Sequence, residues 1–291
     1  MTLTSGLEHI IRENEPLAQH TKLKVGGAAQ YFAEPTNQEE LIELVKRFHD
    51  KNLPVRLLGE GSNILVSDGG VEGLVVRLSA PDFCKISVDG NKMTCAGGAR
   101  LSHFVATAVR EGFSGPENLV GIPGTIGGAL HVNTGSDGFD IGNWLRSARV
   151  LTVSGNLLER DADSLSFSYR SSSLDELVII DATFEFEKEE PVELTKRMQK
   201  LWIVRRAAHP VADNSIYAFK DHGVEAASDI LDQCGLKGSR VGEVEISDRD
   251  PNTIIASRDA KAADVIQLIE NARNAVMDRL GIEIESAVEV W

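Results

Sequence analysis

At 291 residues, 42% apolar and 25% charged, the chain has the composition of an ordinary globular protein with a sizeable core and room for about two domains. A formal net charge of −14 and an aromatic share of 5% argue against nucleic-acid binding and against adhesion to anionic membranes, though a local basic pocket for an anion stays open. The three cysteines, Cys84, Cys95 and Cys234, lie far apart and include no CxxC pair, so buried reduced thiols are expected and no metal site. Met1 to Pro16 is too polar for a signal peptide, and no run approaches the ~18 apolar residues of a membrane span. A cytoplasmic protein is the expectation.

In chain order, Lys22 to Pro35 alternates like a strand and breaks at the proline. Thr36 with Glu39 reads as a capping box, and Leu41, Leu44, Val45 and Phe48 mark one face of the helix that follows. Pro54 to Leu58 is a short apolar strand running into Gly59-Glu-Gly-Ser-Asn-Ile-Leu-Val66. Strand, glycine loop and strand could cradle a phosphate, but the loop lacks the Lys-Ser/Thr of a P-loop, and no helix follows as a dinucleotide fingerprint requires. Val71 to Leu78 reads as a strand, and residues 84–96 as strands around an Asp89-Gly90 turn. A helix is expected over Arg100 to Glu111, with Leu101, Phe104, Val105, Ala108 and Val109 inward and Gly112 closing it.

Residues 121–135 organise the chain. Gly-Ile-Pro-Gly-Thr-Ile-Gly-Gly-Ala-Leu-His-Val-Asn-Thr-Gly holds five glycines and few large polar side chains. Such a stretch lets a flat or anionic ligand approach the main chain, whose exposed amides can form an anion-binding nest. A tight turn between two core elements would use the same residues. Beyond it, Ala148 to Val153 and Leu157 to Arg160 read as a hairpin, and Val178 to Glu187 as a strand. A helix over Val192 to Arg206 carries Lys196, Arg197, Lys200, Arg205 and Arg206, either a solvated face or an anion-facing surface. Short and long helices follow over Ala227 to Cys234 and Asp264 to Leu280, with Ile282 to Val290 as a last strand.

Taken together, Gly59 to Asn63, Gly121 to Gly135, Phe167-Ser-Tyr-Arg170, Phe219-Lys220 and Leu231-Asp-Gln-Cys-Gly-Leu-Lys-Gly238 with Gly242 resemble, in that order, the MurB family. That family is UDP-N-acetylenolpyruvoylglucosamine reductase, also called UDP-N-acetylmuramate dehydrogenase. The resemblance spans about residues 18 to 290. It implies an α+β protein: an FAD-binding fold of the vanillyl-alcohol-oxidase (PCMH) type over residues 1–190, in two subdomains split near 78, and a C-terminal MurB-like substrate-binding domain over 191–291. It also implies FAD as cofactor, NADPH as hydride donor and a UDP-sugar substrate. Gly59, Gly61, Ser62 and Asn63 would lie near the pyrophosphate, and Gly121, Ile122, Gly124, Thr125, Gly127 and Gly128 along the flavin. Tyr169 and Lys220 would contact substrate.

The chemistry needs a cation against the substrate carboxylate and a proton donor for the reduced carbon. The family supplies an Arg, a Glu and a Ser or Cys. Arg170 matches the arginine. Against the family pattern Ser-Ala-Gly-Ser-x-Phe-Lys, this chain has Ser215-Ile-Tyr-Ala-Phe-Lys220, so the donor falls at Tyr217 or Ala218. Against Glu-Pro-Glu-Val it has Glu285-Ser-Ala-Val, so the glutamate falls at Ala287. Two replacements are conceivable: the Tyr217 hydroxyl as acid, and Glu285 or Glu289 reaching from the strand face they share with Ala287. The alternative is a catalytically degenerate or repurposed FAD/UDP-sugar-binding protein. A flavin oxidase of the wider superfamily is disfavoured by Leu231 to Gly238, which match the family's own substrate domain.

Overall fold

The computed structural model describes residues 3–136, 138–209 and 214–291. The chain packs as two compact units, each interrupted in sequence. One comprises Met1–Glu13, Tyr31–Gly59 and Glu72–Ile203; the other comprises Asn14–Gln30, Glu60–Val71 and Val204–Trp291.

The first unit is built on a five-stranded antiparallel sheet ordered Leu157–Asp161, Leu145–Leu151, Val178–Glu185, Lys92–Ala96, Ile86–Asp89. Its central strand serves two cores. Val178 and Ile180 pack with one cluster, while Ile179, Ala182 and Phe184 pack with another. Strict alternation would put Ile179 and Ala182 on opposite faces. A register shift between Arg149 and Val150 of the neighbouring strand skips Ile180, and this bulge restores Ala182 and Phe184 to the Ile179 side. Helix α1 (Gln38–His49) buries Leu41, Leu44, Val45 and Phe48, as its periodicity predicts. Its cap sits one residue later than expected. Asn37 accepts from the Glu40 N–H, and the Glu40 carboxylate reaches back to the Thr36 N–H at 2.7 Å and hydroxyl at 2.9 Å. Helix α2 (Leu101–Arg110) buries the five predicted residues, and Phe104 meets Phe184 edge to face at 5.0 Å.

Helix α3 (Ile126–His131) lies inside the glycine-rich stretch. Helix α4 (Pro191–Ala208) buries only Leu194. Part of its basic face is neutralised within the first unit: Arg197 forks onto the buried Glu117 at 2.8 Å and onto Glu189 at 2.6 Å, and Lys196 pairs with Glu193. Those two cations are therefore paired with carboxylates of the same unit, of which Glu117 alone is buried.

The second unit has a four-stranded antiparallel sheet ordered Ser215–Tyr217, Thr253–Ala256, Val244–Ile246, Arg240–Val241. Helices α5 (Ala227–Gln233) and α6 (Ala262–Leu280) cover it, and Leu23, Val25 and Leu65 join their core. The Asp68 carboxylate caps α6, accepting from the Ala262 and Ala263 N–H groups at 2.9 and 3.0 Å.

Two expected strands shrink. Of Lys22 to Pro35 only Ala28–Ala33 is strand, because Lys24 takes a left-handed φ of 59° that ends the alternation. Of Ile282 to Val290 only Glu289–Val290 is strand, paired parallel with Ile64–Leu65. Upstream, the Ser286 hydroxyl accepts from the Val288 N–H at 3.1 Å and diverts it from any ladder.

Candidate active site

Within the first unit, the stretch from Gly121 is folded back on the turn that follows Lys92–Ala96. Leu101 N–H donates to Gly124 C=O at 2.8 Å, Ile126 to Ala99 at 2.9 Å and Gly127 to Gly97 at 2.8 Å. Gly121 (φ 81°) and Gly124 (φ 134°) take backbone conformations that side-chain-bearing residues rarely adopt. A Cβ on Gly127 would lie 3.1 Å from the Gly97 carbonyl, and one on Gly98 would crowd the Leu78 and Phe83 carbonyls. Gly97 and Gly98 are structural partners of the loop that the sequence reading passed over; their signal was two adjacent glycines at a strand end. Thr125 caps α3, accepting from the Gly128 N–H at 3.3 Å. A Cβ on Gly59 would stand 2.8 Å from Thr125 Oγ1, so the start of the upstream glycine loop lies against the downstream one. Ile122 packs on the core beneath, while Gly121 and Gly128 stay exposed.

Arg170 sits in the same unit, in the two-residue turn joining Phe167–Ser168 to Ser171–Ser172. Its φ of 52° is left-handed, and its guanidinium lies over the exposed Tyr169 ring, 5.6 Å from the centroid. The anchor of this hairpin is Asn133, from the organising stretch itself. Asn133 is 2% exposed, donates from Nδ2 to the Ser168 carbonyl at 2.9 Å, and accepts from the Gly142 N–H at 3.1 Å. The sequence reading did not single out Asn133; its φ of 43°, suited to Asn, is visible only in the fold.

Gly61, Ser62 and Asn63 belong to the second unit. Gly61 (φ 61°) is pressed against the backbone of Thr21: a Cβ there would lie 2.6 Å from Thr21 Cα and 2.7 Å from the His20 carbonyl. Thr21 Oγ1 is buried and has no hydrogen-bond partner. Ser62 and Asn63 are half-buried, and the Asn63 carbonyl accepts from the Glu289 N–H at 3.0 Å.

The proton-transfer candidates also lie in this unit. Ala218 and Ala287 are backbone neighbours, with Ala287 N–H donating to Ala218 C=O at 2.9 Å. Ala218, one of the two positions at which the family's donor was sought, and Ala287, where its glutamate was sought, are thus side by side, and neither carries an acid. Glu285 and Glu289 do not share a regular strand face with Ala287, because that segment is irregular and bridged at Ser286. Glu285 instead pairs with Lys220 at 3.1 Å and is largely exposed, while the Glu289 carboxylate accepts from Trp291 Nε1 at 2.9 Å. Tyr217 is 41% exposed, and its ring meets the His209 ring edge to face at 5.3 Å. His209 Nδ1 lies 2.8 Å from the Asp250 carboxylate. Burial pushes the Asp250 carboxyl up, but hydrogen bonds from His209, Thr253 and the Asn252 N–H outweigh it and hold the group below its ordinary value.

The residues present fit the expected dinucleotide cofactor. In the first unit, the exposed, side-chain-free backbone at Gly121 and Gly128 meets the need for close approach; within the second unit, the buried Thr21 hydroxyl has no hydrogen-bond partner. Among the described residues, no cluster of His, Cys, Asp or Glu could hold a metal ion, and no helix is long and apolar enough to cross a membrane.

Comparison with known proteins agrees with this arrangement. Residues 29–160 match the FAD binding domain family, and residues 209–291 match the C-terminal domain of UDP-N-acetylenolpyruvoylglucosamine reductase. A protein of that name from Rhodopirellula baltica is 36% identical over 98% of this chain and 94% of its own length. Another from Moorella thermoacetica is 34% identical over 99% and 96%. The crystal structure of UDP-N-acetylenolpyruvylglucosamine reductase (MurB) from Thermus caldophilus superposes with a TM-score of 0.83 at 31% identity, covering 97% of this chain and 99% of the other. Phl p 4.0202, a glucose dehydrogenase, shares the fold alone, at a TM-score of 0.52 and 11% identity over 97% of this chain and 62% of that one. Similarity along nearly the full length of both partners, from the FAD-binding region to the C-terminal domain, places the chain in the UDP-N-acetylenolpyruvoylglucosamine reductase (MurB) family.

Proposed function

We propose that this chain reduces UDP-N-acetylglucosamine enolpyruvate to UDP-N-acetylmuramate, a step of peptidoglycan precursor synthesis, in the cytoplasm. The observation that carries the reading is the full-length similarity to proteins named for that reductase, the first of them 36% identical over 98% of this chain. FAD, when bound, supplies the hydride and is recharged by NADPH. Gly59, Gly61, Ser62 and Asn63 would hold its pyrophosphate, and Gly121, Ile122, Gly124, Thr125, Gly127 and Gly128 would hold its flavin. Residues 191–291 form the substrate-binding part and 1–190 the cofactor-binding part.

Arg170 places a permanent positive charge against the substrate carboxylate, where negative charge builds as the double bond is reduced. Its fixed turn, stacked on Tyr169 and anchored by Asn133, supports this role, because a charge held in place before the reaction costs no reorganisation during it. Lys220 contributes a second cation for the substrate's phosphates once Glu285, its exposed partner, is displaced. The test is a visible spectrum of the purified protein for flavin, followed by anaerobic reduction with NADPH and mixing with the enolpyruvyl substrate.

A second reading has its own observation. Ala218 and Ala287, adjacent through one hydrogen bond, leave one of the two expected donor positions and the glutamate position without an ionisable side chain. A protein that binds FAD and the UDP-sugar without turning over fits that pair. Bound flavin that the substrate fails to reoxidise would select this second reading.

A further inference from the structure

The first unit holds a cavity of about 420 Å³ that the proposed reaction does not use. That volume is in the range of small-ligand sites. The cavity lies at one end of the strand Lys92–Ala96, and Gly127 of the glycine-rich stretch at the other. Asn91, which lines the cavity, precedes the strand; Gly97, whose carbonyl accepts the Gly127 N–H at 2.8 Å, follows it. Six residues of extended chain separate the two by about 20 Å.

Three of the lining residues are aromatic. Phe186 is 4% exposed, and Trp144 lies against it with ring centroids 6.0 Å apart. Gly115 makes room for the indole: its φ is 111°, and a Cβ there would come within 2.6 Å of the Trp144 ring. Phe139 sits on a short strand paired with Gly135–Ser136 and keeps 43% of its surface exposed.

The charged lining is two carboxylates and one guanidinium. Arg146 Nε donates to Glu185 at 2.9 Å, and Asn91 Nδ2 donates to the other oxygen of the same carboxylate at 3.0 Å. Arg146 thereby neutralises Glu185 and leaves Glu187 over. Among the described residues, the exposed Glu187 carboxylate has no ion pair or hydrogen bond. A negative charge beside aromatic faces attracts a cation twice, by ion pairing and through the ring quadrupoles. The same ring stack already carries an ammonium elsewhere. Phe186 stacks on Phe113, centroids 4.9 Å apart, and Lys188 Nζ stands over the Phe113 ring, 4.2 Å from its centroid. An anion would meet the reverse, one guanidinium already engaged by Glu185 and a second carboxylate beside it. A neutral apolar ligand would strip water from Glu187 and return no partner.

We infer that this cavity is a second binding site, for a small organic cation: an alkyl ammonium or guanidinium whose charge meets Glu187 and whose chain lies on Trp144 and Phe139.

The test is calorimetric titration of the FAD-loaded protein at fixed ionic strength with agmatine, which carries both cationic groups, and with n-butanol as a neutral control. Agmatine is expected to bind saturably at one site, and n-butanol to give no saturable heat. Glu187→Gln should weaken agmatine binding about fivefold, the upper worth of a partly exposed ion pair. Phe139→Ala should weaken it about two- to fivefold. Both substitutions fall on exposed side chains, so the fold is expected to persist. The indole N–H signal of Trp144, one of three tryptophans and assigned by its loss in Trp144→Phe, should shift along the titration in 1H–15N spectra. Absence of saturable heat up to about 20 mM agmatine overturns the site, since any weaker affinity is below that of an ion pair with a ring contact. Binding unaltered in both Glu187→Gln and Phe139→Ala, or an unmoved Trp144 signal while heat persists, places the cation elsewhere and overturns it equally. Saturable binding of n-butanol would overturn the assignment to a cation.

Discussion

Replacing Asn133 by alanine should loosen the Arg170 hairpin from a distance. Asn133 makes two hydrogen bonds to half-buried backbone, donating to Ser168 C=O at 2.9 Å and accepting from Gly142 N–H at 3.1 Å. Deleting the side chain strands both partners at about 1 kcal/mol or more each. Alanine at φ 43° adds about 1 kcal/mol of backbone strain that asparagine tolerates better. The sum is about 2–4 kcal/mol, which at about 2–4 °C per kcal/mol for a domain of 150–250 residues lowers Tm by about 5–15 °C. Below that transition, the freed hairpin should raise the KM for the enolpyruvyl substrate about tenfold while NADPH still reduces the flavin. Asn133→Asp, which keeps the acceptor and loses the donor, should fall between. Thermal unfolding by circular dichroism and stopped-flow absorbance read the two effects. A Tm shift under about 2 °C with unchanged kinetics would refute the anchoring role.

Thr21→Val removes a buried hydroxyl that has no hydrogen-bond partner, so it should leave stability unchanged or raised by up to about 1 kcal/mol while weakening FAD binding about tenfold; fluorescence titration against Tm separates the two signs. Arg197→Ala leaves the Glu117 carboxylate, 2% exposed, with the Gly115 N–H among the described residues, and should destabilise the first unit by about 1–3 kcal/mol, discounted because Arg197 is itself half exposed. Asp250 is held below its ordinary value in the fold, so its contribution is present at neutral pH and is lost as pH falls below about 4, through the lower folded value. Asp250→Asn should therefore flatten the acid limb of the stability profile, measured as urea midpoints across pH.

The helices were legible because their signals are local. The buried faces of α1 and α2 follow from spacing alone, and Gly281 at φ 68° ends α6 where the apolar pattern stops. The glycine-rich turns were legible for the same reason. What stayed hidden depends on partners distant in sequence. Asn133 is one polar residue among many until Ser168 and Gly142 come to it. The expected shared strand face of Glu285, Ala287 and Glu289 failed because Ser286 captures a neighbouring N–H, a competition that alternation does not register. The division of the chain was hidden too: residues 14–30 and 60–71 pack with the C-terminal part, since Leu23, Val25 and Leu65 enter its core. His209 and Asp250, 41 residues apart, carry no joint signature in the sequence.

The central claim, that this chain is a working reductase despite alanine at positions 218 and 287, is tested most directly by one mixing experiment. The protein is loaded with FAD, reduced anaerobically with NADPH, and mixed with UDP-N-acetylglucosamine enolpyruvate while the flavin absorbance near the visible maximum is followed. Return of the oxidised spectrum in proportion to substrate, with UDP-N-acetylmuramate formed one for one, is the predicted result. A flavin that binds, is reduced by NADPH and stays reduced in the presence of substrate would contradict it.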